Sequence, residues 1–295
     1  ELQRQYYSRG KYSVRIDTTV TPLERNRVGI LIDISEGRVA RIKQINIVGN
    51  QRFEDEDLTE DFTLTPPNLF SFVTKSDQYS KQKLAADLEI LRSFYLDRGY
   101  LNFNINSTQV SITPDKRDIY ITINITEGEQ YRIREVTLSG DLVLDPEELF
   151  PLVRINPDDV FSRKRVTEAV DRISEKLGDQ GYAFANIRPK VNKSPNGKQV
   201  NITFTIDQGE LVNFNRVKIQ GNTRTRDNVI RRDLAVEEGG VYDSKAIRQS
   251  TKRLQRLGYF EDVAVIPQET MNNDQMDIMV AVKEKPTGQF SIGAG

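Results

Sequence analysis

The sequence predicts an α+β fold in which one small module is repeated in series, and three observations carry this prediction. An apolar frame that ends in glycine occurs three times with identical offsets: Ile42, Ile45, Ile47, Gly49; Ile133, Val136, Leu138, Gly140; and Phe214, Val217, Ile219, Gly221. A glycine followed by tyrosine returns later in each repeat: Gly99-Tyr100, Gly181-Tyr182 and Gly258-Tyr259. The repeats are spaced by about 80 to 90 residues, which indicates an array of small domains and not one large pocket.

The first complete repeat opens with a strand and a short helix. Residues 39–48 are largely apolar and end at the turn that Gly49 begins, which predicts a strand. Residues 55–62 predict a short helix. The acidic run at residues 54–57 suits the start of that helix, because negative charge is favoured at the positive end of the helix dipole.

A long helix is the clearest element of the repeats. In the first repeat it begins after Ser80, and its apolar residues fall on one helical face: Leu84, Leu88, Leu91 and Tyr95. The second repeat has the same offsets: Val166, Val170, Ile173 and Leu177. In the third repeat Ile247 and Leu254 keep the frame, but the polar Ser250 replaces an apolar residue. A glycine follows each helix, where it suits the left-handed backbone that ends helices.

Two strands complete each repeat. Residues 103–112 alternate as a strand, and after a turn a strict period-2 run follows: Ile119, Ile121, Ile123 and Ile125. The last strand of the second repeat alternates in the same way: Val200, Ile202, Phe204 and Ile206. The order of elements is therefore strand, helix, helix, strand, strand.

These elements divide the chain into a leading fragment (residues 1–37), module I (38–128), module II (129–209) and module III (210–285). The leading fragment matches only the second half of a module and has no initial methionine, so we expect an excised or processed piece. Residues 286–295 are rich in glycine and alternate apolar with polar or small residues. That pattern is typical of the first strand of a transmembrane β-barrel, and equally of an ordinary strand or a disordered end.

The composition of the 295 residues narrows the function classes. Net charge is −1, with 42 basic and 43 acidic residues, so no global field attracts nucleic acid or an anionic membrane. The sequence contains no cysteine and no histidine. The chain therefore lacks thiol nucleophiles, thiolate metal ligands and the commonest general base. This composition predicts a binding protein and not an enzyme, and it predicts that the protein uses no cofactor and no metal.

The modules resemble POTRA domains, and the resemblance covers essentially the whole chain. It rests on the element order, on first strands that end in Gly-Asn at Gly49 and Gly221, and on final strands that end in Glu-Gly at Glu36 and Glu127. Gly140 departs slightly, since aspartate follows it. Three segments are similar to the third POTRA domain of the BamA family of Gram-negative outer-membrane assembly factors: Lys43–Asn50, Leu96–Tyr100 and Asn106–Ser111. The resemblance implies a three-stranded mixed sheet packed against two helices in each module.

Within that family the leading fragment would end the second POTRA domain, and modules I to III would be the third, fourth and fifth. At least four such domains exceed the two of two-partner secretion transporters and the three of TamA. The resemblance implies a periplasmic scaffold that joins the outer membrane through a C-terminal barrel absent from this sequence. The partners it implies are unfolded outer-membrane proteins, the lipoproteins BamD at the last domain and BamB near the second and third, and the chaperone SurA.

Two sets of residues are candidates for partner binding on this resemblance. The middle strand of each module is expected at a sheet edge, where unpaired N–H and C=O groups accept an added strand. In module I this predicts β-augmentation at Gln109, Val110 and Ser111. In module III the first helix carries the second set, Arg231, Arg232 and Asp233. The family's matching helix helps to dock BamD, with an acidic residue at the position of Asp233.

Other interpretations stay open at this point. Strand-helix-helix-strand order also occurs in KH nucleic-acid modules, but the GXXG loop that those need between the helices is missing from every repeat. A POTRA scaffold of another system, such as a secretion transporter or a cell-division protein like FtsQ, would bind partners without general outer-membrane insertion. For both candidate residue sets the plain alternative is a solvated surface.

Overall fold

A computed structural model describes residues 1–8, 10–24, 27–68, 71–194 and 197–286. These residues form two compact units. The first contains the leading fragment, module I, the start of module II and two short segments of it, Asp158–Arg163 and Asn196–Gln199. The second contains the rest of module II together with module III. The predicted barrel segment lies outside the described residues from position 287 onward.

The leading fragment has a short helix and a hairpin. Helix α1 (Leu2–Ser8) precedes strands β1 (Arg15–Leu23) and β2 (Arg27–Ser35), which pair antiparallel. Helix, strand and strand follow one another here, as they do in the second half of modules I to III. A two-stranded sheet buries little by itself, so apolar side chains such as Val20 and Leu31 are 58% and 62% exposed.

Module I has the predicted order with one addition. Its elements are β3 (Arg41–Val48), α2 (Asp55–Thr59), α3 (Ser71–Thr74), α4 (Lys81–Asp97), β4 (Asn104–Ile112) and β5 (Asp118–Thr126). The addition is the short helix α3, which the sequence analysis did not predict. The four isoleucines of β5 are at most 4% exposed and lie in one core with α4: Ile119, Ile121, Ile123 and Ile125. Burying each such side chain contributes about 1.5–3 kcal/mol.

Modules II and III repeat this arrangement. Module II contains β6 (Arg132–Gly140), α5 (Pro146–Val153), α6 (Arg163–Gly178), β7 (Asn186–Lys193) and β8 (Gln199–Asp207). Module III contains β9 (Asn213–Gln220), α7 (Asp227–Asp233), α8 (Ser244–Arg256), β10 (Phe260–Glu269) and β11 (Gln275–Glu284).

Each module's sheet places its last strand in the centre. The strand orders are β3-β5-β4, β6-β8-β7 and β10-β11-β9. In modules I and III the first strand runs parallel to the central strand and the middle strand runs antiparallel to it. The predicted mixed sheet is confirmed, and the middle strand of each sequence repeat lies at a sheet edge as expected.

The long helices bury a face slightly rotated from the predicted one. Leu88 and Val170, which the apolar pattern includes, are only half-buried. The buried positions three residues after the first frame residue hold Asp87 in α4, Ala169 in α6 and Ser250 in α8. A prediction from apolar spacing alone therefore misses this core position, because the residue there is polar in two of the three modules.

The polar residues at that position hold the loop that follows each module's first helix. Asp87 accepts hydrogen bonds from the backbone N–H groups of Thr63 (2.8 Å) and Leu64 (3.0 Å). Ser250 accepts from the N–H of Ala235 at 2.8 Å. Both side chains are 0% exposed, so these bonds satisfy groups that water cannot reach.

The same hydrogen bond recurs where one module follows another. The carbonyl of the glycine after a helix accepts the N–H of the third residue of the next module: Ala40 to Gly10 (3.0 Å), Tyr131 to Gly99 (2.9 Å) and Val212 to Gly181 (3.0 Å). In the second unit Arg248 adds ion pairs to Glu175 (2.7 Å) and Asp179 (3.1 Å). The glycine after each helix therefore ends that helix and also anchors the start of the next module.

Candidate functional site

The open edge of module I lies along β4. This strand pairs only with β5 among the described strands, with Gln109 opposite Thr122, Val110 opposite Ile121 and Ser111 opposite Tyr120. Its other side therefore offers backbone donors and acceptors to an incoming strand. The structure places the three predicted residues together at this edge.

An apolar strip accompanies the backbone edge. Val110 and Ile112 are 36% and 37% exposed, although the residues directly opposite them, Ile121 and Ile119, are fully buried. Residues directly opposite each other in an antiparallel pair share one face of the sheet. The apolar face of the sheet therefore extends outward at β4, where side chains of an added strand could cover it.

The edge of module I is the least protected of the equivalent edges. The corresponding strands β1, β7 and β10 each contain a proline: Pro22, Pro189 and Pro267. Strand β7 also carries Arg188, Lys190 and Lys193. Proline and charge are the usual means by which proteins block edge pairing. Strand β4, with the sequence NINSTQVSI, has neither, a signal that is visible in the sequence but that the prediction did not use.

The second candidate set lies at the end of helix α7 of module III. Arg231 is held within the module: its guanidinium donates to Asp227 (2.9 Å) and to the carbonyl of Val217 (2.8 Å), and lies 3.4 Å from Glu238. Its pKa is raised further, chiefly by the hydrogen bond to Asp227. Arg231 thus clamps α7 to strand β9, a structural role that sequence reasoning missed.

The other two members of the set pair with each other. The side chain of Arg232 is 75% exposed, and one of its nitrogens lies 3.6 Å from Oδ2 of Asp233. That oxygen is shielded from solvent and has no hydrogen-bond partner among the described residues. An unsatisfied carboxylate oxygen is costly, and a rotation of the side chain that brings this oxygen to a donor would relieve that cost.

The loop that leads into α7 is anchored by the last residue of β11. The carboxylate of Glu284 accepts from the hydroxyl of Thr223 (2.8 Å) and from the N–H groups of Arg224 (3.0 Å) and Thr225 (2.7 Å). In module I Glu127 accepts from the N–H of Arg52 at 3.2 Å, before helix α2. The glutamate at the end of the final strand therefore positions the first helix, a role the sequence analysis did not assign.

Glu284 predicts a specific pH dependence of stability. Hydrogen bonds from Thr225 lower its pKa from 4.5 to about 2. Because the folded pKa is depressed, its contribution is present above pH 4.5 and is lost as the pH falls towards 2. In thermal unfolding we expect Glu284→Gln to melt below the parent at neutral pH and to converge with it in acid. Glu261→Gln, at an exposed ion pair, is the control, and a gap that persists at low pH would contradict the assignment.

Neither a metal site nor a membrane-spanning helix was found in the described part of the chain. No group of three or more acidic side chains there could hold a metal ion. No helix in the same ranges is long and apolar enough to cross a bilayer.

Comparison with known proteins places this geometry in a family. The family model described as "POTRA: Surface antigen variable number repeat" matches residues 40–128, 131–209 and 212–285, which contain the three mixed sheets. The outer membrane protein assembly factor BamA of Neisseria meningitidis is 33% identical over 297 residues, covering 100% of this chain and 37% of that protein. BamA of Buchnera aphidicola is 31% identical over 273 residues, covering 92% and 44%.

A solved structure agrees with these relatives. The crystal structure of Haemophilus influenzae BamA POTRA3-5 superposes with a TM-score of 0.71 at 27% identity, covering 83% of this chain and 96% of that one. The chain spans less than half the length of the curated relatives named above, 37% and 44%.

Proposed function

The chain belongs to the POTRA family, and from that membership we propose that it is the periplasmic scaffold region of a Gram-negative outer-membrane protein assembly factor. It binds unfolded outer-membrane proteins in part by β-augmentation, binds accessory lipoproteins, and directs clients towards folding and insertion. Two assembly factors similar over at least nine-tenths of this chain support this assignment. The partners proposed are BamD at module III, BamB at the leading fragment and module I, and the chaperone SurA.

The observation that carries the proposal is the unprotected edge of β4. Backbone pairing demands little of a partner's sequence, which suits a scaffold that receives many unrelated clients. The apolar strip of Val110 and Ile112 adds contact area for any alternating apolar strand. Outer-membrane clients consist of such alternating strands.

Proline substitutions test this edge. Successive residues of an antiparallel strand send their N–H groups to opposite sides, so Gln109→Pro and Val110→Pro together sample the open side and the β5 side. We expect the variant on the open side to keep its melting temperature and to bind an unstructured alternating apolar peptide about tenfold or more weakly. Titration followed by the amide resonances of β4 measures this effect.

Alanine substitutions provide the matched control. Gln109→Ala and Val110→Ala keep the N–H groups, so backbone pairing predicts losses of roughly threefold or less. Full peptide affinity in both proline variants would refute edge pairing at β4, even if the chain still bound lipoproteins through α7.

Asp233 tests the second surface. Charge reversal by Asp233→Lys is expected to weaken docking of the lipoprotein at module III by at least about tenfold. The lysine would place a positive charge against the donor group of the lipoprotein that the Asp233 carboxylate is proposed to bind. Calorimetric titration with purified BamD measures this affinity. Arg216→Glu, a reversal on strand β9 of the same module, is the control, and equal affinity of Asp233→Lys and parent would remove Asp233 from the surface.

A further inference from the structure

Helix α8 of module III has a charge composition unlike that of its counterparts. It carries five basic residues and no acidic one: Lys245, Arg248, Lys252, Arg253 and Arg256. The equivalent helices α4 and α6 each mix basic residues with three acidic ones. The whole chain has a net charge of −1, so this concentration of positive charge is local to one helix.

Three of these cations form one line along the helix. Lys245, Lys252 and Arg256, here called the basic stripe, fall within about 40° of arc at 3.6 residues per turn and span roughly 16 Å of helix length. All three are exposed. The opposite face packs into the core of the module: Ala246, Ile247, Ser250 and Leu254. The basic stripe therefore points away from the module's own core.

Contacts within the protein account for the neighbouring Arg248 but not for the basic stripe. Arg248 forms ion pairs with Glu175 and Asp179. No carboxylate in the described ranges forms an ion pair with a residue of the stripe. Lys252 and Arg256 are like charges four residues apart, a spacing that disfavours a helix.

The helix dipole explains only part of this arrangement. Positive charge is favourable in the last turn, where Arg256 lies, but unfavourable in the first turn, where Lys245 lies. A cation in the first turn, aligned with two others, indicates an anionic partner along the whole helix. That partner must supply several negative charges over roughly 16 Å.

We propose that the basic stripe binds the anionic headgroups of a phospholipid membrane surface and so holds module III against it. The stripe lies on a convex helix with flexible lysine side chains, which suit a fluid array of phosphates better than the shaped surface of a folded protein. Tyr259, three residues past the helix end, is 56% exposed and provides an amphipathic ring of the kind found at membrane interfaces. This site needs no accessory protein and goes beyond client and lipoprotein binding.

Vesicle binding by the whole chain tests the proposal. The parent is expected to co-sediment with phosphatidylcholine vesicles that contain phosphatidylglycerol, not with phosphatidylcholine alone, and to release as ionic strength rises. Each neutralised cation lowers affinity about fivefold, so the triple variant Lys245→Gln, Lys252→Gln, Arg256→Gln should lose on the order of a hundredfold. The control triple Lys43→Gln, Arg188→Gln, Lys190→Gln removes the same charge elsewhere and should bind like the parent.

Three outcomes would overturn the proposal. One is anionic-vesicle binding by the basic-stripe triple variant at parental affinity. Another is an equal loss in the control triple, since net charge and not the stripe would then govern binding. The third is a parent that ignores the vesicles but binds polyglutamate, which would assign the stripe to an acidic protein. Circular dichroism of both triples checks folding, and the vesicles contain no protein, so failure here leaves the scaffold function untouched.

Discussion

Replacing Asp87 by alanine is expected to destabilise module I by about 2–5 kcal/mol, because it leaves the buried N–H of Leu64 and the part-buried N–H of Thr63 without their acceptor. The carboxylate is 0% exposed and also accepts from the hydroxyl of Thr63 at 2.7 Å. It joins helix α4 to the loop after α2, so its loss frees that loop. Chemical denaturation of parent and Asp87→Ala, followed by circular dichroism, measures the difference.

Glu89 offers a control on the same helix. Its side chain is 66% exposed and lies 3.5 Å from Arg92, in an ion pair of the kind that contributes little. Glu89→Ala should therefore shift stability by less than about 1 kcal/mol. Equal effects of the two variants would mean that Asp87 is not the anchor that its buried hydrogen bonds indicate.

Substitution of Gly221 by alanine is expected to cost module III several kcal/mol, roughly 3 or more. Its φ is +86°, and a Cβ atom there would lie 2.0 Å from the carbonyl oxygen of Val282 in the central strand β11. Backbone atoms cannot yield as a flexible side chain does, so β9 or β11 would have to shift. Thermal unfolding monitored by circular dichroism tests this prediction.

Gly239, in the same module, separates the backbone strain of a positive φ from the steric clash of an added Cβ atom. Its φ is +83°, but a Cβ atom there would meet nothing within 4 Å. Gly239→Ala therefore pays only the backbone strain, about 1–2 kcal/mol. A Gly221→Ala variant no less stable than Gly239→Ala would show that the strands accommodate the added methyl group.

Periodicity in the sequence was sufficient for the order of the main helices and strands. The alternating isoleucines of β5 and the helical spacing of Leu84, Leu91 and Tyr95 each specify one element and the face that it buries. These patterns are local, since a strand or a helix repeats within a few residues. The open edge at β4 was also predictable, because the central position of the last strand follows from the fold that the repeats resemble.

The polar anchors of the modules depend on contacts between residues that are far apart in the sequence. Glu284 meets Arg224 across 60 positions, and Asp87 meets Thr63 across 24, so neither anchor leaves a periodic trace. Arg231 looked like a free surface charge until the fold brought Val217 and Glu238 to its guanidinium. The amino-acid pattern alone was sufficient for the repeated modules, for all but one of their elements and for the family resemblance. The folded structure was needed to show which polar residues hold the modules together and which stay exposed, because hydrogen-bond partners depend on distance in space.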